Sequence, residues 1–257
     1  MFERRTINQL AKKHKRCVNW VRKQLEDYKL PEHNVTSCKT VVIADSTFFK
    51  RTFGICVLRA QKTKQNIFWK EIDYERIETY QRARRKIESR GFEITAVVTD
   101  GRPGIKGVFN GIPVQMCHFH QKQIITRHLT TRPKLEASIE LKYLAQTLCN
   151  TTEEEFTNLL AGWYSKWHNF LKERTVIPET GKWFYTHKRV RSAYHSLITN
   201  IPYLFTYLKY PDLNIPNTTN SLEGFFSHLK ELIKIHRGLN RNLKLKMISE
   251  ILSKPSK

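Results

Sequence analysis

The chain reads as an α/β protein: a mixed sheet with flanking helices, interrupted by an all-helical insertion and preceded by a small helix-turn-helix. Three observations predict this. Buried, β-branched runs alternate with helical patterns between residues 40 and 120. Strand signals fade after His120. The first 30 residues carry two short apolar stripes at helical spacing, with no proline or glycine inside either.

The bulk numbers bound the possibilities. A chain of 257 residues that is 40% hydrophobic can bury a full α/β core. Its net charge of +22 and pI of about 9.9 favour a polyanionic partner, nucleic acid first and an anionic membrane surface second. No apolar run approaches the ~18 residues of a spanning helix, and no membrane role is expected. The start, MFERRTINQLAKKHK, lacks the apolar segment of a secretory signal. Five scattered cysteines with no CxxC argue against a disulfide framework and for a reducing compartment.

The elements follow in order. In residues 4–28, Ile7, Leu10 and Ala11 form one apolar face and Val18, Val21 and Leu25 the next, with a break near Lys15–Arg16. A second helix beginning near Cys17 would present Asn19, Trp20, Arg22 and Lys23 to DNA. Lys and Arg outnumber Asp and Glu by nine to three in residues 1–30, which suits docking on phosphates. A plain basic helical hairpin would look the same. The domain plan is therefore a helix-turn-helix over 1–30, a linker over 31–39, a catalytic domain over 40–240 with a helical insertion at about 121–215, and a basic C-terminal tail over 241–257.

TVVIADSTFF predicts a buried strand ending at Asp45 or shortly after, with GICVLRAQ and NIFWKEI as antiparallel neighbours. Glu75–Arg90 is helical, with Ile77, Tyr80, Ala83, Arg84 and Ile87 on one side and Gly91 as its stop. ITAVVTD is a second buried strand, Pro103–Phe109 a short helix and PVQMCHF a further strand. Residues 120–210 read as almost wholly helical, broken at Pro178 and Gly181, with Thr152 as an N-cap before three glutamates. Trp163 is expected in the core. Trp183, Phe184 and Tyr185 lie among cations, where aromatic rings can stack bases. A last helix, Asn217–Ile235, carries Glu223.

Three carboxylates are the candidate catalytic and metal-binding residues: Asp45, Asp100 and Glu223. Both aspartates close β-branched runs, at the strand ends where α/β sheets place ligand-handling groups. Each is also an ordinary turn former, and Asp100-Gly101 is a strong turn dipeptide. Hard oxygen donors select Mg²⁺ or Mn²⁺, and two such ions can cut and join phosphodiesters. Glu223 follows Asn220 by three residues, so the two share a helix face and Asn220 can support the site. Glu231, the nearest rival, is flanked by Lys230 and Lys234 as a surface residue would be. Cys117-His118-Phe119-His120 resembles half a zinc site, but the partner pair at zinc-finger spacing is missing. Cys117 and His120 are therefore assigned a local hydrogen-bonding or packing role. Lys230, Lys234, Arg237, Arg241, Lys244 and Lys246 are expected on backbone phosphates.

ADST at 44–47, VVTDG at 97–101, MCHFHQ at 116–121 and NTTNSLEGFFSHLK at 217–230, in this order and spacing, resemble Mutator-type DDE transposases of bacterial insertion sequences. The resemblance covers roughly residues 40–235. It implies a ribonuclease H-like core interrupted by a helical insertion, with Asp45, Asp100 and Glu223 as the triad and Cys117 and His120 in a C-x2-H signature. It also implies two Mg²⁺ or Mn²⁺ ions, double-stranded DNA (element ends and target) as partner, a homodimer or larger assembly on DNA, and a bacterial cytoplasmic, nucleoid-associated setting. The competing readings are a nuclease or resolvase that cuts without joining, and a truncated or domesticated DNA-binding protein.

Overall fold

The computed structural model describes residues 5–50, 52–236 and 238–254. The chain divides into two units, Met1–Thr95 with Asn220–Lys257, and Ala96–Thr219.

The first unit opens with α1 (Ile7–Lys13) and α2 (Val18–Asp27), the two short helices the sequence predicts. Thr6 and Gln9 close a capping box on α1, and the Cys17 thiol caps α2. Then comes an antiparallel meander: β1 (Lys39–Phe49), β2 (Phe53–Ala60) and β3 (Asn66–Ile72). β2 is buried along its whole length, so both sheet faces are covered. Side chains alternate between faces along a strand, and the register assigns the cover. Ser46 meets Tyr80 of α3 (Ile77–Glu88), whose Tyr80, Ala83 and Ile87 are buried on that side. On the opposite face, Arg59 of β2 meets α10 (Asn220–Ile235), and Trp69 of β3 meets Ser249 of α11 (Arg241–Ser253).

Two sequence expectations fail in this unit. β1 does not end at Asp45 but runs on to Phe49, because Thr47, Phe48 and Phe49 are as suited to a pleated sheet as the residues before them and pair with Ile55, Gly54 and Phe53. Asp45 is therefore a mid-strand residue opposite Val57. The described part of the expected tail, residues 241–254, is not a tail; it forms α11. Asn240 caps α11 through Leu243 N, and Leu243, Met247, Ile248 and Leu252 are buried. Leu239, Leu243 and Met247 form a core cluster against which Ile7 and Leu25 pack. Tyr28 donates to Glu250 at 3.0 Å, and Lys246 donates to the Leu25 and Glu26 carbonyls. The predicted helix-turn-helix thus shares its apolar core with the C-terminal helix.

β4 (Glu93–Thr99) passes from the first unit into the second. Glu93 N donates to Cys38 O, and Val97 to Thr99 pair in parallel with β5 (Val114–Met116). The five strands make one mixed sheet in the order β3-β2-β1-β4-β5.

The second unit adds α4 (Ile105–Val108), α5 (His118–Leu129), α6 (Glu136–Gln146), α7 (Glu153–Lys172), α8 (Lys188–Leu204) and α9 (Thr206–Lys209). The N-cap expected at Thr152 is formed and closes a capping box with Glu155, and Trp163 is buried with its indole N–H on Ala137 O. Phe156, Leu141, Leu148, Leu197 and Phe205 fill the core. This region is not all-helical: β6 (Arg174–Val176) and β7 (Trp183–Tyr185) pair as a hairpin. Short β-branched and aromatic triplets on either side of a Pro178–Gly181 turn suffice for it. PVQMCHF is likewise a strand only to Met116; Cys117 is the N-cap of α5.

Candidate active site

Asp45, Asn220 and Glu223 belong to the first unit; Asp100, Cys117 and His120 belong to the second.

In the first unit, Asp45 is buried in β1, and its Oδ1 accepts from Ser46 N at 2.7 Å, which orients the carboxylate. The register sets its direction. Asp45 stands opposite Val57 and Ile43 opposite Arg59, so Asp45 and Arg59 side chains leave the same face. Arg59 is 3% exposed. Its Nε donates to Asn66 Oδ1 at 2.9 Å, its Nη1 to Ser221 O at 2.8 Å, and its guanidinium stacks 4.8 Å from the Phe225 ring centroid. Glu223 lies between the two residues of α10 that Arg59 grips. The face that carries Asp45 is thus the face covered by the first turns of α10, where Asn220 and Glu223 sit three residues apart in one helix. Burial pushes the Arg59 guanidinium down to about 10. Sequence reasoning missed Arg59, although one arginine inside GICVLRA was the available signal.

In the second unit, Asp100 directly follows β4, as expected, and its Oδ1 accepts from Arg102 N at 3.0 Å. Gly101 has φ +80, and a Cβ there would run into the Met116 side chain, so glycine is required beside Asp100. Cys117 Sγ accepts from both Thr219 N at 3.3 Å and Thr219 Oγ1 at 3.4 Å, and His118 N donates to Asn217 O. Cys117 and His118 therefore tie residues 217–219 to the start of α5. His120 is half-buried on α5, its ring edge-on to Phe119.

His118, between them, has a structural role that its place in the motif did not disclose. It is fully buried, and its Nε2 lies 2.6 Å from Leu204 O. A carbonyl only accepts, so Nε2 carries the proton and Nδ1 faces the Cys149 thiol at 3.5 Å. Burial pushes its pKa below 6.5, the nearby Lys122 adds to this, and the Leu204 hydrogen bond opposes it. The unfolded chain then takes up the proton first as pH falls, so stability from this group is complete above 6.5 and declines below it. The urea midpoint is expected to fall between about pH 7 and about pH 5.5, and His118→Gln to flatten that decline. An equal pH dependence in the variant would refute the assignment.

Of the residues expected on DNA, Asn19, Trp20, Arg22 and Lys23 are exposed on α2, with Arg16 stacked on the Trp20 ring at 5.5 Å. Lys230 and Lys234 are exposed on α10. Arg237 lies outside the described residues. Arg241 pairs its guanidinium with Glu71 at 2.7 Å and Asp73 at 2.9 Å. Lys246 is engaged on backbone carbonyls in the same way. Trp183 and Phe184 are exposed on the β6–β7 hairpin, with Arg174 over Trp183 at 3.9 Å.

No family model matches this chain, and no curated protein matches it. Among the described residues, no helix is long and apolar enough to cross a membrane.

Proposed function

We propose that this protein is a DDE transposase with a ribonuclease H-like core, which cleaves DNA at the ends of a mobile element and joins those ends to target DNA. The observation that carries this reading is the Arg59 bridge. It ties the first turns of α10, with Glu223, onto the sheet face that also bears Asp45, although the two acids stand far apart in sequence.

The donor set fits a hard divalent cation, since it consists of carboxylates and Asp45 is already oriented by the Ser46 amide. In this proposal Asp45, Asp100 and Glu223 act together to hold two Mg²⁺ or Mn²⁺ ions. When bound, such ions lower the pKa of water and stabilise the charge that develops on the phosphodiester oxygens. The chain's own groups do the rest. Asn220, one turn before Glu223, hydrogen-bonds a phosphate oxygen or the carboxylate itself. Lys230 and Lys234 neutralise backbone phosphates, and the exposed side chains of α2 meet the duplex. Water attack leaves a 3′-hydroxyl at the element end, and that hydroxyl then attacks a target phosphodiester in line. Pairing two ends requires a homodimer or larger assembly on DNA.

The test is an incubation of purified protein and Mg²⁺ with labelled duplexes that carry the sequences flanking its coding region. Cleaved 3′-hydroxyl ends and joined strands are both expected. Cleavage without joined strands would assign a nuclease or resolvase instead; bound but intact DNA would assign a non-catalytic DNA-binding protein.

A further inference from the structure

A groove of about 570 Å³ opens in the first unit between the β1–β2 turn and the helices α10 and α11. Phe48 and Phe53 supply apolar lining, and Lys50, Lys230, Lys234 and Lys244 bring four ammonium groups to it. Among the described residues no acidic side chain lines it, and none of the four lysines makes an ion pair with a described residue. Phe48 is 37% exposed, a large ring left facing solvent among cations. Gly54 stands opposite it, where a Cβ would lie 2.7 Å from the ring, so glycine is what lets the ring rest against β2.

Through Phe49 the groove reaches the Asp45 face, whereas Phe48, one residue earlier, leaves the opposite face and meets the groove at the end of the sheet. Lys230 and Lys234 follow Glu223 by seven and eleven residues, close to two and three helical turns, so all three share one stripe of α10. Lys230 lies about 10 Å along the helix from Glu223 at ~1.5 Å per residue. On the sheet, Phe49, paired with Phe53, lies about 13 Å along β1 from Asp45 at ~3.3 Å per residue. Both routes lead from the candidate carboxylates to the groove within a few nucleotide steps of ~3.4 Å.

We infer that this groove binds an unpaired stretch of the DNA strand that runs past Asp45 and Glu223, with a base stacked on Phe48 and the flanking phosphates on the lysines. The inference rests on the proposed DNA reaction for its substrate class. Duplex alone does not suit the groove, because paired bases keep their faces stacked on one another. An aromatic ring ringed by lysines matches a single strand, whose bases offer a free face and whose phosphates recur beside it.

Fluorescence anisotropy on the full chain, in EDTA so that no strand is cut, would compare an oligothymidylate with a duplex of equal length. Phe48→Ala is expected to weaken oligothymidylate binding about ten-fold and leave duplex binding unchanged. Lys230→Ala with Lys234→Ala is expected to reduce the salt slope for the single strand by about 1.4. Phe48→Leu keeps apolar bulk without the aromatic face; it is expected to behave as Phe48→Ala does, and it decides the matter if the alanine variant misfolds. A folded variant with an unchanged single-strand-to-duplex ratio overturns the inference. Loss of binding to phosphatidylserine vesicles with oligothymidylate binding intact also overturns it, and assigns the groove to lipid. A wild-type chain that prefers single strands but neither cuts nor joins removes the proposed reaction and leaves the groove. Cleavage without that preference removes the groove alone.

Discussion

Asp45→Asn and Glu223→Gln are each expected to reduce Mg²⁺-dependent strand cleavage by roughly a thousand-fold or more. Lewis-acid stabilisation of a transferring phosphoryl group is worth several kcal/mol, and each 1.36 kcal/mol is about ten-fold in rate. Both substitutions keep the size of the side chain and remove only its charge. In Asp45→Asn the new amide oxygen would still accept from Ser46 N, so β1 has no reason to shift. DNA binding, measured without metal, should stay near that of the wild type, since the cations of α2 and α10 are untouched. Asp100→Asn should behave as the other two do if the three acids act together. Cleavage within ten-fold of wild type in any of these folded variants would remove that acid from the site.

Arg59 is the second large expectation, and it separates position from stability. Arg59→Ala takes the donors from Asn66 Oδ1 and Ser221 O and leaves a cavity under Phe225. Asn66 Oδ1, a buried acceptor left unsatisfied, costs about 1–3 kcal/mol, and the part-buried Ser221 O adds less because water reaches it. Against this stands relief from burying a cation whose Nη2 has no partner and whose pKa burial has lowered to about 10. The balance is a loss of about 3 kcal/mol in unfolding free energy, read from urea titration. Arg59→Met leaves the same acceptors without a donor but fills much of the cavity, and should lose about 2 kcal/mol. Cleavage should nevertheless fall about a hundred-fold in Arg59→Met, the scale expected when a catalytic group moves by roughly 1 Å. Full activity in that variant would show that Glu223 is held by packing alone.

Much of the fold was legible because its signals are local. The Thr152 N-cap, the buried Tyr80–Ala83–Ile87 stripe and the Gly91 stop each depend on residues within a turn or two of one another. The errors came where a local signal was ambiguous. The sequence places the end of β1 at Asp45 or shortly after, yet β1 carries Asp45 in mid-strand because the hairpin to β2 needs Thr47 to Phe49. Charge alone predicts a tail for the last residues, although Leu243, Met247 and Ile251 recur at helical spacing and belong to a core shared with Ile7 and Leu25.

The candidate site divides in the same way. From the sequence alone came the carboxylates and their chemistry, the excess of positive charge, and the i,i+3 relation of Asn220 and Glu223. Only the tertiary structure decided which sheet face Asp45 occupies, what covers that face, and which cations remain available to a polyanion. Those answers rest on partners distant in the chain: Arg59 and Ser221 are 162 residues apart, Arg241 and Glu71 170. Periodicity determines that a residue is turned inward or outward. Which distant side chain meets it there is settled by packing, and packing leaves no mark in the spacing of either partner.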